Sequence, residues 1–166
     1  MNWFIAVLAF LIVQRLAELW LANRNTARLM AEGAVEHGRE HYFLFVVLHT
    51  GWLVAMILLA PEDPVFPAPL FVLFVLLQLG RVWVIATLGR YWTTRVISVP
   101  DAPLVRNGPY RFVRHPNYLV VIGEIALVPM LAGLWEVAAV FSLLNAVLLW
   151  HRIRIENRSL DQRPTS

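Results

Sequence analysis

The chain has 166 residues, 59% of them hydrophobic, with a mean hydropathy of +0.63. That surplus is outside what a soluble domain of this length carries, so water is not its main solvent. Fourteen basic residues, every one an arginine, outnumber 11 acidic ones for a net charge of +3. They border apolar spans instead of forming a basic domain, which argues for positive-inside topology and against a nucleic-acid partner; the lack of cysteine excludes disulfides and thiolate chemistry.

The first predicted element is a helix from Trp3 to about Ala22. No basic residue precedes it and no small-x-small cleavage site follows, so it reads as a retained span and not a cleaved leader. Residues 23–40 are polar, with Arg24, Arg28 and Arg39 set against Glu32, Glu36 and Glu40, and are expected to form an amphipathic or irregular loop. A second span runs from about His41 to Leu59 and stops at Pro61-Glu62-Asp63-Pro64, where the prolines cannot continue a helix. A third runs from Ala68 to about Leu88.

Between Gly89 and His115 the chain changes character, carrying Arg90, Arg95, Arg106, Arg111 and Arg114 among the turn signals Pro100, Pro103 and Asn107-Gly108-Pro109. It is the longest connector and the expected functional segment. Two apolar runs follow, Tyr118 to Leu131 and Leu134 to Trp150, parted at Gly133; the first covers only about 21 Å as a helix, which predicts a tight helical hairpin. The expected fold is therefore an all-α integral membrane protein, one domain over residues 1–166. Residues 1–88 supply three spans, and residues 89–160 supply the connector and a short C-terminal hairpin, for about five transmembrane helices. The segments 23–40, 89–115 and the tail after Trp150 are basic, whereas 61–67 is acidic without an arginine. Five crossings put all basic segments on one side, with the amino terminus out, the carboxyl terminus cytoplasmic and membrane lipid as the surrounding partner.

Several polar residues interrupt the apolar spans: Arg15 and Glu18 in the first helix, Gln78 and Arg81 in the third, Glu124 in the fourth. Ionised groups at that depth need partners, and interhelical pairs of Arg15 with Glu18 and of Arg81 with Glu18 or Glu124 are the simplest arrangement. The seven tryptophans fall mostly near span ends, where an amphipathic ring prefers the interface.

Two stretches carry chemistry. Leu104 to Tyr118 reads Leu-Val-Arg-Asn-Gly-Pro-Tyr-Arg-Phe-Val-Arg-His-Pro-Asn-Tyr and enters the fourth helix with Pro116 in its first turn, leaving free N–H groups behind it for a polar or anionic ligand. His151-Arg152-Ile153-Arg154-Ile155-Glu156 closes the fifth, with Arg152 and Glu156 four apart on one face. Taken separately, the second stretch is also what a surface ion pair at a membrane exit looks like.

Together these elements resemble the isoprenylcysteine carboxyl methyltransferase family, over Gly89 to Leu160, through a Gly-Pro-Tyr turn, Arg-His-Pro-x-Tyr and a closing Arg-x-x-x-Glu before Ser-Leu. The resemblance implies an S-adenosylmethionine site contacted by Ala102, Pro103, Leu104, Val105, Tyr110, His115, Pro116, Asn117, Tyr118 and Glu156, with Arg152 facing the methyl acceptor and no metal required. Methyl transfer from a sulfonium depends mainly on alignment and water exclusion, and an ionised carboxylate acceptor needs an orienting arginine and no general base. The chain departs from the common family pattern at Val120, where a glycine is usual, and at Arg95, where eukaryotic members carry a glutamine; both bear on acceptor access. Its shortness and the Tyr91-Trp92-Thr93-Thr94-Arg95 segment look most like compact bacterial members, which implies a bacterial cytoplasmic membrane and an active site facing the cytoplasm. Some relatives of that kind methylate the enolic oxygen of long-chain alkylpyrones instead of a prenylated cysteine. Two other readings stay open on sequence alone: an NADPH-dependent membrane reductase of the steroid reductase type, and a non-enzymatic scaffold, which would have a dry hairpin with Arg152 and Glu156 paired to each other.

Overall fold

The computed structural model describes residues 2–100, 102 and 105–161, the last three of these by backbone alone. The main elements are α1 (Trp3–Ala31), β1 (Val35–His37), α2 (Tyr42–Leu59), α3 (Ala68–Leu88), β2 (Val96–Ser98), α4 (Pro116–Leu131) and α5 (Trp135–Asp161). Among the described residues four helical stretches are long and apolar enough to cross a bilayer, and α4 is a shorter apolar helix.

The first helix does not stop near Ala22 but continues to Ala31. Residues 23–31 are polar yet contain neither glycine nor proline, so nothing breaks the backbone where the lipid-facing pattern ends. The extension is held by Asn25, 4% exposed, whose amide donates to the carbonyls of Gly89 (3.1 Å) and Trp92 (2.9 Å). The rest of the expected 23–40 loop contains β1, which pairs antiparallel with β2 in the register Val35↔Ser98, Glu36↔Ile97 and His37↔Val96. Three-residue strands show too little alternation to be read from sequence, and they make the fold helical with one small ribbon.

At the opposite end Asn2 caps α1 by accepting from Phe4 N (2.8 Å) and donates to Pro61 O (2.7 Å), while Trp3 Nε1 donates to Pro64 O (2.8 Å). The acidic turn and the amino terminus thus share one end of the bundle, and the ribbon and connector share the other. The α4–α5 hairpin forms as expected around Gly133, whose φ of +73° suits a residue without Cβ. Its second arm is long instead of short: α5 runs 27 residues and carries Arg152 and Glu156 on an unbroken helix.

The apolar core joins Phe4, Leu8 and Leu11 of α1, Trp52 and Met56 of α2, Phe74 of α3, and Ile125 and Val128 of α4. Gly123 lets α3 approach α4 closely, since a Cβ there would fall 2.8 Å from Leu77 Cδ2. Beside this core lies the expected charge cluster. Arg81 is 1% and Glu124 0% exposed. Arg81 Nε donates to Glu124 Oε1 (3.0 Å) and Nη1 to Glu18 Oε2 (3.3 Å), while its Nη2 also donates to Glu124. Arg15 donates to Glu18 (2.9 Å) and to Glu124, and Gln78 donates to Glu124 (2.9 Å). Two cations balance two carboxylates across α1, α3 and α4, so the set is buried neutral.

Candidate functional site

The site is built at the arginine-rich end, where the connector meets the start of α4 and the end of α5. The Gly-Pro-Tyr turn is a 3-10 turn over Gly108–Arg111. Gly108 has φ +53°, and a Cβ on it would fall 2.5 Å from Thr87 Oγ1. This close approach to α3 requires glycine, and the turn it permits delivers Tyr110. Pro116 opens α4, where its missing N–H leaves no helical bond unmade.

Just ahead of it, His115 faces α5 with Nδ1 3.4 Å from Glu156 Oε1 and Nε2 3.1 Å from Asn157 Oδ1. Its ring stacks on Tyr118 at 5.3 Å. The hydrogen bond to Glu156 raises the His115 imidazole above its ordinary 6.5, against partial burial and the Arg114 charge. Burial pushes the Tyr110 phenol well up, and the Glu156 charge adds to that, so Tyr110 stays protonated.

The Tyr118 hydroxyl is the centre of the arrangement. It donates to Glu156 and accepts from Arg152 Nε (2.9 Å). Arg152 also donates from Nη2 to Thr94 O (2.7 Å), and its guanidinium lies over the rings of Phe45 (5.1 Å) and Tyr118 (5.8 Å). Arg152 and Glu156 are thus joined through a tyrosine hydroxyl and do not form the mutual pair that a dry hairpin would show.

These groups line one cavity of about 750 Å³, within the range of small-molecule sites. Of the expected cofactor positions Ala102, Val105, Tyr110, His115, Asn117, Tyr118 and Glu156 line it, together with Arg152. Pro116 is buried at the helix start and is not among the lining residues. Pro103 and Leu104 lie outside the described residues. Among the described residues, three that line it carry a buried polar atom without a partner: Asn117 Oδ1, Trp92 Nε1 and Arg95 Nε. An unpaired buried donor or acceptor costs about 1–3 kcal/mol, which a polar ligand could recover.

Tyr91, Trp92, Thr93, Val96 and Ile97, none of them an expected site residue, also line it, as does Arg95, whose departure from the family pattern bears on acceptor access. The Tyr91–Arg95 segment, which resembles compact bacterial members, is the available signal; the ribbon beside it is not visible in the sequence.

Comparison with known proteins identifies the family. The model of the isoprenylcysteine carboxyl methyltransferase (ICMT) family matches residues 70–162. The uncharacterized protein YpbQ of Bacillus subtilis is 38% identical over 160 residues, covering 94% of this chain and 95% of its own. An uncharacterized protein of Haemophilus influenzae is 26% identical over 130 residues, 76% of this chain and 73% of its own. No solved structure matches. With the Arg-His-Pro-x-Tyr and Arg-x-x-x-Glu segments folded onto one cavity among apolar helices, the chain belongs to the isoprenylcysteine carboxyl methyltransferase family of membrane methyltransferases.

Proposed function

We propose that the protein is an S-adenosylmethionine-dependent O-methyltransferase that modifies a carboxylate or enolic oxygen of a lipophilic acceptor, prenylcysteine-like or alkylpyrone-like. The observation that carries this reading is the Tyr118 hydroxyl standing between Glu156 and Arg152 on one cavity wall. An anion and a cation kept apart in this way offer separate places for a cationic donor and an anionic acceptor.

When bound, S-adenosylmethionine supplies a methyl group already activated by its sulfonium, so the residues here need to position and shield. Glu156, held by His115 and Tyr118, offers carboxylate oxygens to amino or hydroxyl groups. Asn117 Oδ1 is a buried acceptor without a partner, which fits an amino group, and Trp92 Nε1 is a buried donor without one. Tyr110 and Tyr118 add aromatic surface suited to a cation or a base. Arg152, backed by Phe45 and fixed by Thr94 O, orients the acceptor oxygen. An ionised oxygen needs no base, so His115 serves to hold Glu156.

The same reading has five crossings, the amino terminus outward and the arginine-rich end in the cytoplasm of a bacterial cell, where a soluble methyl donor is supplied. The acceptor reaches Arg152 from the lipid.

The test is calorimetric titration of S-adenosylhomocysteine into the full chain in lipid nanodiscs. Wild type and Arg152→Ala are expected to bind it, and Glu156→Ala is expected to lose binding. Absence of binding by wild type, or equal loss in both variants, overturns the assignment, and saturable NADPH binding would favour a reductase.

A further inference from the structure

Resting on that reading, we infer that Arg95 is a second acceptor-binding arginine, and that Arg95 and Arg152 together select an acceptor with a negatively charged head over a neutral one of the same shape. Arg95 and Arg152 both line the large cavity. Both also line an adjoining niche of about 20 Å³ bounded by Glu36 of β1, Tyr42 and Phe45 of α2, and Ile155 of α5. The two guanidinium groups therefore stand where cavity and niche adjoin.

Their supports are parallel. Arg95 lies over the Tyr42 ring at 5.1 Å and Arg152 over the Phe45 ring at 5.1 Å. Tyr42 and Phe45 are three residues apart, so the two rings belong to one face of α2. Arg152 is bonded to Thr94 O, the carbonyl of the residue before Arg95, which makes the two arginines neighbours through a single peptide. Two cations held against one aromatic face are pre-oriented, so little rotamer freedom remains to be lost on binding.

The two arginines are not paired alike. Glu36 meets Arg95 Nη1 through both oxygens, at 3.1 and 3.2 Å. Glu156, one turn from Arg152 on α5, hydrogen-bonds to Tyr118 and contacts His115 instead. Among the described residues the Arg95–Arg152 pair thus has one directly paired carboxylate for two cations. Arg95 Nε is also buried without a partner. A carboxylate, or an enolate conjugated with a carbonyl, brings both a negative charge and two acceptor oxygens to these guanidinium groups, which a neutral alcohol or amide does not.

Glu36 then sets the strength of the site. It neutralises Arg95, so removing its charge should strengthen anion binding, whereas removing Arg95 should weaken it. A pair that only fastened the ribbon would lose affinity by either change.

The test uses full-length protein in phosphatidylcholine nanodiscs saturated with S-adenosylhomocysteine. The probes are N-dodecanoylglycine and its neutral isostere N-dodecanoylglycinamide, and the readout is the ratio of their dissociation constants. Wild type should favour the acid by about tenfold or more, Arg95→Gln should reduce that preference by about tenfold, and Glu36→Gln should increase it. The double variant Glu36→Gln/Arg95→Gln keeps the ribbon neutral and should retain the reduced preference even if the single change loosens the fold. Equal binding of both probes by wild type, saturable binding of neither, an unchanged preference in Arg95→Gln, or weaker acid binding in Glu36→Gln overturns the inference. Competition by added phosphatidylglycerol would assign the pair to a lipid headgroup and overturn it as well. Normal S-adenosylhomocysteine binding alongside any of these results leaves the methyltransferase reading standing, while failure of wild type to bind S-adenosylhomocysteine sinks that reading itself.

Discussion

Replacing Glu124 by glutamine tests whether the charge cluster between α1, α3 and α4 holds by neutrality. Glu124 accepts from Arg15, Gln78 and twice from Arg81 and is fully buried. Without its charge, Arg15 and Arg81 share Glu18 alone, leaving one uncompensated cation among apolar helices. Stranding a buried charge typically costs about 3–5 kcal/mol. Because the Arg15 side chain is 19% exposed and can turn outward, the lower figure applies, about 3 kcal/mol, or more than about a hundredfold in the folding ratio. Deleting Arg81 as well, in Glu124→Gln/Arg81→Gln, leaves Arg15 paired with Glu18 at 2.9 Å and restores neutrality. The double variant should regain all but about 1 kcal/mol of the loss. Helix unfolding followed by circular dichroism during titration with sodium dodecyl sulfate in mixed micelles measures all three proteins. A double variant as unstable as the single one, or a single variant within about 1 kcal/mol of wild type, would refute the neutrality argument.

Gly108→Ala should destabilise the Gly-Pro-Tyr turn by about 1–3 kcal/mol, since φ is +53° and the new Cβ would meet Thr87 Oγ1 at 2.5 Å; a fall in thermal midpoint, relieved in part by Thr87→Ala, checks it. His115 gives a pH dependence. Its folded-state value lies above its ordinary 6.5, so the stability from its pairing with Glu156 is fully present below that ordinary value and is lost as pH rises through the raised one. Melts of wild type and His115→Gln across that window should converge on the alkaline side, and a constant difference between them would contradict the pairing.

The helical spans were legible because apolar runs broken by proline or glycine leave few choices: α2 and α3 begin and end within a residue of expectation. The end of α1 was misread because polarity marks where a helix leaves lipid, not where it stops; only a backbone breaker or a cap does that, and Asn25 shows the extension turned to structural use. That residues of the connector, the start of α4 and the end of α5 share one cavity was legible through spaced motifs around two helix ends. The ribbon was not, because its pairing joins Glu36 to Ile97 across 61 residues with three residues per strand, and the placement of Arg95 against Glu36 depends on that pairing.

The short fourth helix bears on the proposed meeting of a water-soluble donor and a lipophilic acceptor. At 16 residues α4 is about 24 Å long, less than the roughly 30 Å of hydrocarbon it would have to cross. Its end near Gly133 lies toward the acidic turn, so if that end is level with the neighbouring helices the deficit falls at its start, where Pro116, Asn117 and Tyr118 stand. Most of the polar groups there bond one another, Tyr118 with Glu156 and Arg152 and His115 with Asn157, while Asn117 Oδ1 is left buried without a partner. Glu124, under two turns further along α4, prevents the helix from sliding outward to relieve the mismatch, because any such shift would part it from Arg15 and Arg81. The membrane-buried charge lock and the cavity are therefore two ends of one device, and loosening the lock should weaken ligand binding at a site that none of its residues touches.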